Sequence, residues 1–216
     1  MNKKGKKLAE RYLLLCAGLV IMAFGVAFSI KAGLGTSPIS SVPYVVSLFA
    51  PLTVGTATIC MHCVFILLQI LILRKKYQLV QLLQLPVAVL FGYMTDFAVW
   101  ALQGIGPQNY FQQWIFCVIG ILLVGIGVSF EVTAGVVTLA GEGLVLAICQ
   151  AAPVKFGNMK VLFDVSLVGI ACILSFVFVG GLHGVREGTV AAAVCVGQVA
   201  KFLNKRLEAL KSPGIK

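Results

Sequence analysis

Apolar stretches of membrane-crossing length recur along this chain, as from Leu13 to Ile30 and from Ile115 to Phe130, with no charged side chain inside either. A helix needs about 20 consecutive apolar residues to cross the hydrocarbon of a bilayer, whereas membrane β-barrels read as short alternating segments. The spans are therefore helical and the fold class is all-α. Composition agrees, since 60% of the 216 residues are apolar, 11% are charged and the mean hydropathy is +1.03. A water-soluble domain would lack charged surface, and disorder needs low hydrophobicity. The first run is too long for a secretory h-region and has no convincing small-x-small cleavage site, so it reads as a retained span. The cysteines at 16, 60, 63, 117, 149, 172 and 195 all lie in apolar stretches. There they act as small hydrophobes, and no disulfide framework is implied.

Shifting the sequence against itself by 102 residues brings Gly25-Val26-Ala27-Phe28 onto Gly127-Val128-Ser129-Phe130, Ala32-Gly33 onto Ala134-Gly135 and Ala50-Pro51 onto Ala152-Pro153. Nine of the 31 positions from Gly25 to Gly55 are identical, where about two are expected by chance. Coincidence between two glycine-rich stretches is the alternative. The chain reads as one integral membrane domain, 1–216, made of two copies of a unit of about 102 residues, roughly 1–103 and 104–216. Hydropathy predicts helices over 12–31, 38–50, 56–74 and 82–102 in the first copy, and 113–132, 140–151, 158–180 and 188–204 in the second. At 1.5 Å per residue, the segments 38–50 and 140–151 reach roughly 20 Å against a hydrocarbon core of ~30 Å. They are expected to be re-entrant. Ser37 suits the N-cap of the first and Pro38 its first helical position.

Basic residues stay on the cytoplasmic side. With both short helices re-entrant, 15 of the 17 Lys and Arg fall inside and only Lys31 and Arg186 outside; with both crossing, the division becomes 12 against 5. The expectation is six transmembrane helices plus two short re-entrant helices, with both termini cytoplasmic. Three spans per copy make the repeats inverted. Such a plan resembles transporters and channels with midplane sites, because irregular backbone at membrane depth has to line a cavity or be buried in protein. If the loops 32–37 and 134–139 return to the midplane, the two helix N-termini converge and can receive a carboxylate or phosphate group. Short helices lying flat at the interfaces are the alternative.

The run Gly33-Leu34-Gly35-Thr36-Ser37-Pro38-Ile39-Ser40-Ser41-Val42-Pro43-Tyr44, followed by Gly141-Glu142-Gly143-Leu144 and Lys160-Val161-Leu162-Phe163-Asp164, resembles the YczE-type bacterial integral membrane proteins, relatives of the YitT-type group. The similarity extends over nearly the whole chain and implies a bacterial membrane protein without naming an activity. One departure stands out. Where such proteins tend to carry Gly-Pro and then Asp in the last span, this chain has Gly197-Gln198 and Lys201.

An ionisable group at membrane depth costs at least ~2.5 kcal/mol by insertion scales, so each one is a functional candidate. Asp96, Glu131, Glu142 and Asp164 qualify. Glu142 sits near the start of the second short helix, where the helix dipole favours a carboxylate, and its repeat counterpart is Ser40. It reads as a solute, cation or proton site, or else as a helix cap. Asp164 lies one turn beyond Lys160, so the two can pair. Asp164 also matches His62 in the repeat, and two titratable groups facing each other across the centre would suit a proton relay. Asp96 reads equally as a site wall or a buried acceptor. Glu131, Arg186 and Glu187 lie near span ends and read as interface anchors. Cys60-Met61-His62-Cys63 offers soft ligands, but on a helix Cys60 and Cys63 share a face that Met61 and His62 do not.

No Walker loop, nucleophile elbow or HExxH is present, and no enzyme, cofactor or metal site is expected. The basic N-terminal run Lys3, Lys4, Lys6 and Lys7 and the tail from Lys205 to Lys216 abut spans and face anionic headgroups rather than nucleic acid. The reading is a small-solute transporter or facilitator of the bacterial cytoplasmic membrane. Its partners would be the bilayer and an unidentified solute, with a homo-oligomer or a membrane partner left open. Candidate lining residues are Ser37, Ser40, Ser41, Tyr44, His62, Asp96, Glu142, Lys160 and Asp164. The alternatives are a scaffold or sensor subunit of a larger assembly and, more remotely, a membrane enzyme using Glu142 and Asp164 as an acid–base pair.

Overall fold

The computed structural model describes residues 3–211, and among them every regular element is helical. The α-helices are α1 Lys3–Ala32, α2 Pro38–Phe49, α3 Val54–Leu73, α4 Gln84–Ala101, α5 Tyr110–Ala134, α6 Ala140–Ala151, α7 Phe156–Leu174 and α8 Glu187–Lys211. Two 3₁₀ turns, Arg74–Lys76 and Leu79–Leu83, lead from α3 into α4, and a π-helical turn, Ser175–Val179, extends α7. Five segments are long and apolar enough to cross a membrane: Leu8–Ala32, Val54–Lys76, Leu79–Ala101, Tyr110–Ala134 and Phe156–Val179. Helix α8, where the sequence predicts a span over 188–204, is not among the five. It is 25 residues long, but Lys201, Lys205 and Arg206 break its apolar character. The two short helices have 12 residues each, as the sequence leads one to expect.

Local chemistry sets the helix ends. Ser37 stands at the N-cap of α2 with extended backbone and Pro38 follows at the first turn. Its hydroxyl, however, donates to Ser40 Oγ at 3.0 Å instead of capping an amide. Thr53 caps α3 by accepting from Thr56 N at 3.1 Å, and Asn109 caps α5 by accepting from Gln112 N at 2.9 Å. Gly135 ends α5 in the left-handed conformation, φ 56°, the usual role of glycine just past a helix C-terminus.

The central packing is α1 against α5, and it is a glycine seam. A Cβ on Gly18 would lie 3.0 Å from Gly127 O, and one on Gly25 would lie 2.9 Å from Gly120 O. Glycine lets helix backbones approach this closely inside a membrane. Gly120 and Gly127 follow Gly18 and Gly25 by 102 positions, so the contacts are exchanged: 18 with 127, 25 with 120. The other pairings follow suit, α2 packing on α7 and α3 on α6, while α1 also contacts α4 and α5 contacts α8.

One seam has no equivalent. Between α3 and α4, a Cβ on Gly55 would meet Gly92 O, and Asp96 holds the joint by accepting from Gly55 N at 2.7 Å and from Thr53 Oγ1 at 2.6 Å. Between α7 and α8 lies an apolar groove of about 370 Å³ lined by Val161, Val165, Val168, Val190 and Val194. A Cβ added to Gly157 on α7 or Gly197 on α8 would meet nothing within 4 Å.

Large apolar side chains such as Val64, Leu67 and Leu71 on α3, Phe97 and Trp100 on α4, and Leu162 and Ile173 on α7 are exposed on the outside of the bundle. Such a continuous apolar exterior is suited to lipid and not to water. The two ends of the bundle differ in charge. Where α1 finishes, Lys31 reaches Gln103 O and Arg186 reaches Gly33 O; Arg11, Arg74, Lys75, Lys76 and Lys155 belong to the opposite end, with the C-terminus of α5.

Candidate functional site

The first turns of α2 and α6 meet in the interior. A Cβ on Gly141 would meet Ile39 Cδ1, so the two helix starts lie in side-chain contact. Ser37 and Ile39 share a cavity wall with Met22, Phe91, Val124 and Leu139, and Met22, Phe91 and Val124 come from the middle of α1, α4 and α5. Two adjoining cavities open here, sharing Met22, Ser37, Ile39, Val124 and Leu139.

The larger, about 240 Å³, is lined on its polar side by Ser37, Glu131, Glu142, Lys160 and Asp164. Lys160 Nζ donates to Asp164 Oδ1 at 2.5 Å, one helical turn apart, and stands 5.7 Å over the Phe163 ring. Glu131 is 1% exposed, and its Oε1 accepts from Leu139 N at 2.6 Å. Leu139 holds the N-cap position of α6 and has no side-chain acceptor to offer. A carboxylate from α5 therefore caps α6, where the helix dipole favours it. Glu142, in the first turn of α6, makes no hydrogen bond or ion pair with the described residues and faces the cavity.

The smaller cavity, about 30 Å³, is lined by His62 with Ser37, Ser40, Thr58 and Met61. His62 is 1% exposed and its Nδ1 has no partner. The volume suffices for one water, which needs roughly 10–15 Å³. His62 and Asp164, 102 positions apart, thus line neighbouring cavities separated by the starts of the two short helices; they do not share one.

The loops 32–37 and 134–139 each also border an open vestibule. At the Arg186 end, about 270 Å³ is lined by Gly33, Gly35, Thr36, Tyr44, His183 and Arg186. At the opposite end, about 360 Å³ is lined by Gln78, Gln81, Gln84, Gly135, Thr138 and Gln150. Behind the second, Gln69 Nε2 donates to Gln84 Oε1 and to Ala140 O, both at 3.0 Å, tying α3 and α4 to the start of α6.

Of the residues nominated from sequence, Ser37, Glu142, Lys160 and Asp164 come together in one cavity and Ser37, Ser40 and His62 in the other. Ser41 is buried, and its hydroxyl is engaged within α2, donating to Pro38 O at 2.7 Å. Tyr44 belongs to the Arg186 vestibule. Asp96 lies apart, at the α3–α4 joint. Cys60 is exposed and Cys63 half-buried, while His62 points inward, so these three do not converge. Glu131 is not an interface anchor but a buried cap. Its distance of eight residues from Leu139, across a Gly-containing turn, is the sequence signal that could have found it. Gln69 and Gln84 fall outside the nominated set, because neutral polar residues in apolar runs carry no charge signal, and Thr36 lies in the loop 32–37, which its glycines alone bring to notice.

The chain is 28% identical over 200 residues, 91% of its length and 86% of the relative's, to a Bacillus subtilis protein described as uncharacterized membrane protein YczE. It is 27% identical over 190 residues (88% and 81%) to an uncharacterized protein of Haemophilus influenzae. A second Bacillus subtilis relative, uncharacterized protein YyaS, is 25% identical over 189 residues (87% and 88%). No solved structure matches the chain. Residues 9–205 match the model of a family of unknown function, DUF6198, and the chain, an all-helical membrane protein, belongs to that family.

Proposed function

We propose that the chain is a six-span transporter or facilitator of a small solute in the bacterial cytoplasmic membrane, built from two inverted repeats that each contribute a re-entrant half-helix, with both termini cytoplasmic. The meeting of the α2 and α6 N-termini, level with the middle of α1, α4 and α5 and among buried polar side chains, carries this reading. Non-helical backbone at that depth is tolerated where it is buried in protein or lines a cavity. The exchanged pairings α2–α7 and α3–α6 support the inverted repeat. So do the two vestibules, whose linings correspond at an offset of 102: Gly33 with Gly135, Thr36 with Thr138, His183 with Gln81 and Arg186 with Gln84. Charge sidedness supports the orientation. The 216 residues act as one membrane domain, and the solute is held non-covalently between the half-helices by Ser37, Glu142, Lys160 and Asp164, with no enzymatic step or cofactor.

Two measurements test this. In a variant whose native cysteines are replaced, single cysteines at Gln108 and Lys75, both exposed, should label from opposite sides of the membrane; labelling from one side would refute the orientation. Purified protein in liposomes should pass a solute from a metabolite panel, and Glu142→Gln should change that flux at least about tenfold, an effect of ~1.4 kcal/mol on the limiting step. The open apolar groove between α7 and α8 favours the second reading, a scaffold that seats another membrane protein. A scaffold would pass no solute and would co-purify with its partner.

A further inference from the structure

We propose that the vestibule at the Arg186 end is a binding site for an oxyanion group, carboxylate or phosphate, on a small solute, with Arg186 and the Thr36 hydroxyl as its principal donors. Thr36 is 1% exposed, lines this vestibule, and its Oγ1 has no hydrogen-bond partner. A buried hydroxyl left unpaired is costly, so a group that completes it binds with advantage. Its own amide is already committed, donating to Gly184 O at 3.0 Å, which fixes the residue against the opposite loop.

Arg186 stands beside it in a defined pose. Nη1 donates to Gly33 O at 3.0 Å, while Nε and Nη2 donate to the Glu187 carboxylate at 3.3 and 3.0 Å. A guanidinium has five N–H groups; these bonds use three, leaving one on each terminal nitrogen for a bidentate acceptor. Tyr44 and His183 also line the cavity. His183 is positioned through its backbone, whose N–H donates to the Ser175 hydroxyl at 2.7 Å, Ser175 being buried. No carboxylate lines this cavity. The corresponding cavity at the other end has Gln84 and Gln81 where this one has Arg186 and His183. The basic side chains are therefore a property of this end alone and not of the repeat. At about 270 Å³ the space suits a metabolite-sized anion and not a macromolecule.

The inference deepens the transport reading by naming the group recognised, and rests on that reading for the route though not for the binding. The test is thermal unfolding of the purified full-length protein with sodium phosphate or sodium succinate, against sodium chloride and tetramethylammonium chloride at matched ionic strength. Phosphate or succinate should raise Tm saturably, as a ligand of the folded state does, and the chloride salts should not. Arg186→Gln should abolish the shift. Thr36→Val, which removes a hydroxyl that bonds to nothing, should leave the unliganded Tm unchanged or higher while weakening the anion about tenfold. Equal shifts in the parent protein and Thr36→Val, or no shift with either oxyanion, would overturn the site. Oxyanion binding without flux of any solute sinks the transport reading and leaves this one standing. Flux of a solute without an oxyanion group, combined with no oxyanion binding, does the reverse.

Discussion

Gly25→Leu is expected to leave almost no folded protein after extraction, whereas Gly169→Leu should purify like the parent. At Gly25 the first added carbon alone would stand 2.7 Å from Val124 N and 2.9 Å from Gly120 O. Both are backbone atoms of α5 and cannot rotate away, so the two helices must separate. That breaks up the cluster in which Leu15, Leu19, Ala23 and Ala27 pack against Val124. Overpacking a yielding core costs about 1–3 kcal/mol, and a backbone obstacle exceeds that range, against total stabilities of ~5–15 kcal/mol. At Gly169, on the exposed side of α7, nothing lies within 4 Å, and leucine there gains helix propensity. Monodispersity on size-exclusion chromatography and Tm read the difference; similar yields of the two variants would remove the seam as the centre of the fold.

Replacing Glu131 by leucine should lower Tm and abolish solute flux together, while Glu131→Gln should keep the fold. The carboxyl group of Glu131 supplies the acceptor for Leu139 N, and without it that buried amide loses its partner at a cost of about 1–3 kcal/mol. Glutamine keeps an acceptor oxygen in the same place and cannot ionise, and an ionised carboxylate is expensive to bury. A fraying start to α6 would also displace Glu142, the cavity residue three positions along. If the glutamine variant melts as low as the leucine variant, the charge rather than the acceptor is what α6 requires.

The helices were legible because apolar run length is a one-dimensional property. The two short helices stood out for the same reason, together with the Ser37-Pro38 start and the glycines before it. What the sequence could not convey was which residues lie at equal depth. Glu131 sits at the end of an apolar run, and on a simple span that position faces the interface; it is buried here because the chain folds back beside it and α6 begins against it. The pairing of Lys160 with Asp164 followed from helical spacing, but the company of Glu142 and Glu131 in the same cavity depends on α5, α6 and α7 converging. Asp96 follows one of its two readings, the acceptor, since its carboxylate takes the Gly55 amide and the Thr53 hydroxyl across the joint between α3 and α4. Gln69 and Gln84 lie 15 positions apart with no motif between them, and only the return of the chain through the 3₁₀ turns brings them together.

The glycine seam between α1 and α5 has a further consequence. Because Gly18 faces Gly127 and Gly25 faces Gly120, the interface is self-complementary in the manner of an isologous dimer contact, in which each patch binds its own copy turned over. On the inverted-repeat reading proposed above, a free-standing half inserted in the bilayer in both directions would reconstitute the same contact from one pair of glycines used twice. On the same reading, joining the two halves in one polypeptide relaxes that duplication everywhere except along the shared axis, which leaves the outer helices of each half at liberty to acquire different chemistry.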